Sequence, residues 1–165
     1  MPTKDAVFKF RHTTKKSPSQ TAGEIQTLLI RLGASNISTM VEKGEIVSMA
    51  FVYDHEGQNL AFRLPIKWMP LYKRELEKFE QKRRRRPLGV AERERSIEAM
   101  KQQAERTGWR IALEWLRVQV AFVETGARNV LEVFMADMLA PGRDETLSEF
   151  LTERGVMALL PPPAE

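Results

Sequence analysis

A run of apolar residues at helical spacing from about Ala91 to Leu139 constrains this chain more than any other feature. At about 100° per residue from Trp109, residues Ala112, Leu113, Leu116, Val120, Val123, Ala127, Val130, Leu131, Phe134 and Met138 form one continuous stripe. A second stripe of Ile97, Met100, Ala104, Ile111, Trp115, Val118 and Phe122 lies on the opposite side, and neither stripe changes phase at Gly126. A helix apolar on two sides needs cover on two sides. Two solutions stay open. In one, a long helix offers Ile111, Trp115, Val118 and Phe122 to a second copy or a protein partner. In the other, two helices broken near Gly108 or Gly126 fold back as a hairpin, so that this chain's own helices supply the cover with no partner.

Upstream, the pattern changes to that of a small α+β unit. Ala6, Phe8 and Phe10 alternate with Val7, Lys9 and Arg11, the period of a strand with one apolar face. Thr21 and Glu24 have capping-box spacing, Ile25, Leu28, Leu29 and Leu32 share a helical face, and Gly33 supplies a stop. Three strands are expected at about Asn36–Glu42, Glu45–Tyr53 and Gln58–Ile66, joined by the polar, glycine-containing turns Glu42–Glu45 and Asp54–Gly57. Val47, Met49, Phe51 and Tyr53, with Leu60, Phe62 and Leu64, form the core face that the leucine-rich helix would cover. The expected architecture is therefore strand, helix and three-strand meander, followed by a long helical C-terminal region. Boundaries fall at 1–68, 69–90 and 91–165. A short helix is expected from Glu145 to Leu151, ahead of an apolar, proline-ended tail.

Charge divides the chain as sharply as hydropathy does. Residues 1–86 carry 17 Lys/Arg against 9 Asp/Glu, and residues 87–165 carry 9 against 13, so the overall +4 conceals +8 and −4. Such asymmetry points to an anionic partner for one half. The densest signal is Lys82-Arg83-Arg84-Arg85-Arg86, because five consecutive cations cannot all pair internally and the guanidinium fork matches phosphate oxygens. Lys15, Lys16, Lys67, Lys73, Arg74 and Lys78 could extend this surface. Trp68 and Tyr72 could stack on unpaired bases, although closing a sheet–helix junction is the simpler use of both.

Catalytic patterns are not found. The sequence holds no cysteine, two histidines, no glycine-rich phosphate loop, no nucleophile elbow and no paired-histidine helix. Asp54, His55 and Glu56 are the densest titratable cluster, but these residue types before Gly57 are ordinary turn residues. No catalytic residue, metal ligand or cofactor is assigned. No apolar run spans a bilayer and no signal peptide is recognisable, so a cytoplasmic chain without a membrane partner is expected.

Thr21-Ala-Gly-Glu-Ile, Leu28-Leu29, Gly33-Ala34, Asn59-Leu-Ala-Phe-Arg-Leu-Pro65, the arginine run, Gly108-Trp-Arg-Ile-Ala-Leu and Ala158-Leu-Leu-Pro161 are spaced along most of the chain. In these segments it resembles a family of small hypothetical proteins from bacterial, phage and mobile-element genomes. The resemblance implies a setting of nucleic-acid handling or interference with a host system, and assigns no residue a role. The functional expectation is a non-catalytic nucleic-acid-binding accessory protein, with phosphate contacts from Lys82 to Arg86 and their neighbours. An adaptor or inhibitor acting on a protein partner is the alternative, and a metal-dependent nuclease using the Asp54–Glu56 turn is the third.

Overall fold

The first helix begins one turn earlier than the Thr21 and Glu24 spacing predicts. The Ser17 hydroxyl accepts from the Gln20 amide at 3.2 Å and the Gln20 side chain accepts from the Ser17 amide at 3.0 Å, a reciprocal capping box. Pro18 follows at the first helical position, where its missing N–H is not needed. Helix α1 therefore spans Pro18–Leu32 in the computed structural model, which describes residues 14–83 and 88–155. Thr21 is buried inside the helix and its hydroxyl donates to the Ser17 carbonyl at 3.1 Å. The stop is as expected. Gly33 takes a φ of +95°, its amide donates to Ile30, and the Ala34 amide donates to Leu29, both at 3.0 Å, which is a Schellman motif.

Strands β1 (Asn36–Glu42), β2 (Glu45–His55) and β3 (Gln58–Arg63) form an antiparallel sheet in the order β1-β2-β3. Both connections are two-residue turns with positive φ at each central residue, +50° and +83° at Lys43-Gly44 and +55° and +82° at Glu56-Gly57. Turns of that kind match the strand twist and fix the register of both hairpins. β3 ends at Arg63, short of the expected Ile66, just ahead of Pro65, which has no N–H to give a ladder. The expected strand at Ala6, Phe8 and Phe10 lies outside the described residues.

Helix α2 (Met69–Arg83) precedes α3 (Val90–Glu124), a single helix of 35 residues and about 52 Å that passes through Gly108 unbroken. It does not continue through Gly126. There φ is +69°, the Gly126 amide donates to Val123 at 3.0 Å and the Arg128 amide to Phe122 at 3.2 Å, so the left-handed residue ends the helix. Of the rest of the first stripe, Val130, Leu131 and Phe134 belong to a short helix, α4 (Val130–Phe134), whose capping box joins Asn129 and Glu132, while Ala127 is exposed in the turn before it and Met138 bridges Phe62. The stripe kept its phase across the gap because Val130 and Phe134 still face a core, in which both are buried. A 3-10 turn (Met135–Asp137) leads to α5 (Leu147–Arg154), capped by Thr146 and Glu149.

The chain forms two compact units, each built from two separate segments, with two of the three boundaries inside helices α1 and α3 and the third between β3 and α2. The first comprises residues 1–25 and 66–115 and the second 26–65 and 116–165. Buried residues of the first include Ile25, Ala104, Trp109, Ala112 and Leu113. Those of the second include Leu29, Met49, Phe51, Phe62, Leu116, Val120 and Phe134. Phe51 stacks on Phe62 with ring centroids 5.1 Å apart, and Phe134 meets both at 5.3 and 5.9 Å. Helix α4 thus shares in closing the sheet face that the leucine-rich helix was expected to cover. No helix among the described residues is long and apolar enough to cross a membrane.

Candidate nucleic-acid interface

Every described cation of the sequence-derived basic surface falls in the first unit. Helix α2 carries most of them, and its composition explains its place: it has no fully buried residue, while Tyr72, Leu76 and Phe79 are half-buried along one side. Arg74, Lys78 and Lys82 recur every fourth residue, one cation per 6 Å or so of axis on one face of the helix. Lys78 Nζ lies 3.4 Å from Glu75 Oε1, an exposed pair of small energetic weight. Lys73 and Lys67 are exposed, and Lys73 stands on another side of the helix from the stripe.

At the C-terminal end of α2, Lys82 is exposed whereas Arg83 folds back, its guanidinium carbon 5.4 Å from the centre of the Phe79 ring. Arg84, Arg85 and Arg86 lie outside the described residues. Lys15 is exposed, and Lys16 forms an ion pair with Glu24. Glu80 pairs with Arg93 of α3 at 2.5 Å, anchoring α2 to the helix that follows it.

Trp68 and Tyr72 meet edge to face, with ring centroids 6.3 Å apart, and both are half-buried. The Trp68 carbonyl accepts from the Leu71 and Tyr72 amides, which starts α2. Its Cβ lies so close to α3 that a Cβ added at Gly108 would stand 2.6 Å from it. Gly108 is therefore a packing notch for Trp68, and the aromatic pair has a structural use at a helix–helix junction within the unit. Sequence reasoning treated Gly108 as a possible break, because a glycine's role as a notch depends on a residue 40 positions away.

The second stripe of α3 is covered unevenly. Ile111 and Trp115 are half-buried, while Val118 and Phe122 are 53% and 43% exposed, with the Arg128 guanidinium 5.9 Å above the Phe122 ring. Asp54 and His55, expected in the turn, instead end strand β2 two residues past Tyr53, and the Asp54 carboxylate accepts the Gly57 amide at 2.8 Å, which occupies it in supporting the Glu56-Gly57 turn. Among the described residues no three His, Asp or Glu side chains gather as metal ligands would. Two long-range ion pairs had no local signature: Arg31 with Glu124, and Arg63 with Asp144. The Arg31 guanidinium, by hydrogen bond, holds the Glu124 carboxyl below the usual carboxylate range.

No protein-family model, no curated protein and no solved structure matches the chain.

Proposed function

We propose that this chain is a non-catalytic nucleic-acid-binding accessory protein of a phage or mobile element, holding the phosphate backbone with the basic surface of its first unit. The supporting observation is how charge divides between the compact units. Residues 1–25 and 66–115 hold 19 Lys/Arg against 10 Asp/Glu, a net +9, and residues 26–65 and 116–165 hold 7 against 12, a net −5. A cut of the sequence after Arg110 gives the same two sums, so the units preserve the division of charge along the chain. A field of this sign steers polyanions to one unit and repels them from the other. Arg74, Lys78 and Lys82, continued by the arginine run, supply phosphate contacts that position a strand without reading its bases.

The test is fluorescence anisotropy with single- and double-stranded DNA and RNA over a salt series. Affinity should fall linearly on logarithmic axes, and alanine at positions 83–86 should reduce the slope by about 0.7–0.9 for each phosphate contact removed. Binding that is absent, or indifferent to salt, overturns the reading. The exposed Val118 and Phe122 favour a second reading, an adaptor or inhibitor that docks a protein on α3. That reading gains if nucleic acid does not bind while Phe122→Ala abolishes capture of a defined host partner.

A further inference from the structure

We propose that β1 is a self-pairing edge, joining antiparallel to β1 of a second copy so that two three-stranded sheets become one sheet of six strands. The inward and outward groups of β1 follow from alternation along the sheet. The Leu64 amide donates to the Met49 carbonyl at 2.9 Å, so Met49 turns its backbone groups toward β3, and Ser48 and Ala50 turn theirs toward β1. Their partners Met40 and Ser38 face inward, which leaves the N–H and C=O groups of Ile37, Thr39 and Val41 facing outward. The same alternation makes Ala61 face outward from β3. There the Leu139 amide donates to the Ala61 carbonyl at 2.8 Å, and Met138 bridges Phe62.

One edge of the sheet is thus closed by its own chain. The other is open, with no strand beside β1 among the described residues. β1 also lacks the usual protection of an edge. Its register shifts where Met40 opposes Ser48 and Val41 opposes Ile46, so the extra residue, Val47, sits on β2 and the backbone of β1 runs on unkinked. From Asn36 to Val41 it has no charge and no proline, and Met40 and Val41 are 54% and 57% exposed.

A second copy is the occupant this strand suits. Antiparallel pairing about Thr39, the middle residue of β1 and an outward-facing one, employs the whole strand. It sets Thr39 against Thr39 of the second copy, Ile37 against Val41, Ser38 against Met40 and Asn36 against Glu42. Threonine pairs and β-branched apolar pairs are favourable cross-strand neighbours, and the register opposes no like charges. Because each copy has one open edge, the pairing is isologous and closes at two copies.

Sedimentation velocity of the full chain from about 1 to 300 µM should show a concentration-dependent dimer, a range suited to an interface of modest size. Thr39→Pro removes an outward N–H and leaves the β1–β2 bonds in place, and should weaken the dimer at least about tenfold. Thr39→Cys covers the case in which proline unfolds the hairpin, since it places one thiol in a cysteine-free chain. Directly opposed residues have Cα atoms about 5.5 Å apart, within disulfide reach, so mild oxidation should yield a covalent dimer. Val118→Cys on α3 should not. A chain monomeric at every concentration, which would leave the edge to a strand of another protein, overturns the proposal. So does a folded Thr39→Pro variant that still dimerises fully, or cross-linking through Val118→Cys but not Thr39→Cys.

Discussion

The two compact units are made by different means. The second holds the whole sheet, the stacked phenylalanines and a charge of −5, whereas the first is helical among its described residues, holds all three tryptophans and carries +9. The second unit is stabilised by side chains far apart in sequence, Phe51, Phe62 and Phe134, around a sheet whose register is set by two tight turns. The first relies on close approach of backbones, as where Trp68 meets Gly108, and none of the cations on α2 is buried. The cationic surplus and the three-ring phenylalanine cluster thus fall in different units. The unit that exposes arginine and lysine is not asked to bury a sheet, and the unit with the sheet has no cationic surplus to hold an anion.

The largest test of that contrast is Phe62→Ala. Truncating a fully buried ring in the three-ring cluster should cost about 3–5 kcal/mol, read from urea denaturation followed by far-UV circular dichroism. An effect under 1 kcal/mol or so would remove the cluster from its central place in the second unit. Next comes Gly108→Ala in the first unit. The new methyl would collide with Trp68, at a cost of about 1–3 kcal/mol, and tryptophan emission reports this unit because Trp68, Trp109 and Trp115 all belong to it. A stability unchanged from wild type would show that the notch is not needed.

Smaller effects follow from local devices. Thr146→Ala removes one half of the capping box that starts α5 and should cost about 1 kcal/mol, measurable as a shift in the urea midpoint with unchanged slope. The smallest effect expected is the acid response of the second unit. Glu124 is held ionised by Arg31, so its carboxyl is depressed in the folded chain relative to the unfolded one. Its contribution is fully present above the ordinary glutamate value, near 4.3 or so, and is lost as pH falls through the depressed one. Glu124→Gln should flatten the stability–pH profile on the acid side alone. A profile parallel to wild type there would deny the pair any role in acid stability.

Local chemistry made much of this fold legible. The Schellman stop at Gly33, the Lys43-Gly44 turn and the apolar face of Met49, Phe51 and Phe62 depend on neighbours a few residues away and stand where their patterns predict, while the second turn falls one residue later than expected, at Glu56-Gly57. The start of α1 was legible too, but from Ser17 and Gln20, not from Thr21 and Glu24, since two overlapping boxes competed and proline at the first helical position decided between them. Of the candidate site, the cations on α2 could be placed in advance. The diversion of Arg83 onto Phe79 and the seating of Trp68 on α3 could not, because each depends on which side of a helix meets its neighbours.

By itself, then, the sequence determined the identity of the elements: where α1 stops, where the strands turn, which faces are apolar and that charge is unevenly spread. These are properties of short windows, governed by backbone sterics and side-chain periodicity. The tertiary structure alone decided membership. It drew residues 26–65 together with 116–165 into one unit of net charge −5, and it ended the long helix ahead of Gly126 while Val130 and Phe134 carried the apolar stripe on. It closed one edge of the sheet with Leu139 and, among the described residues, left β1 open. Contacts over such sequence separations depend on which surfaces bury one another, and no local window contains both partners.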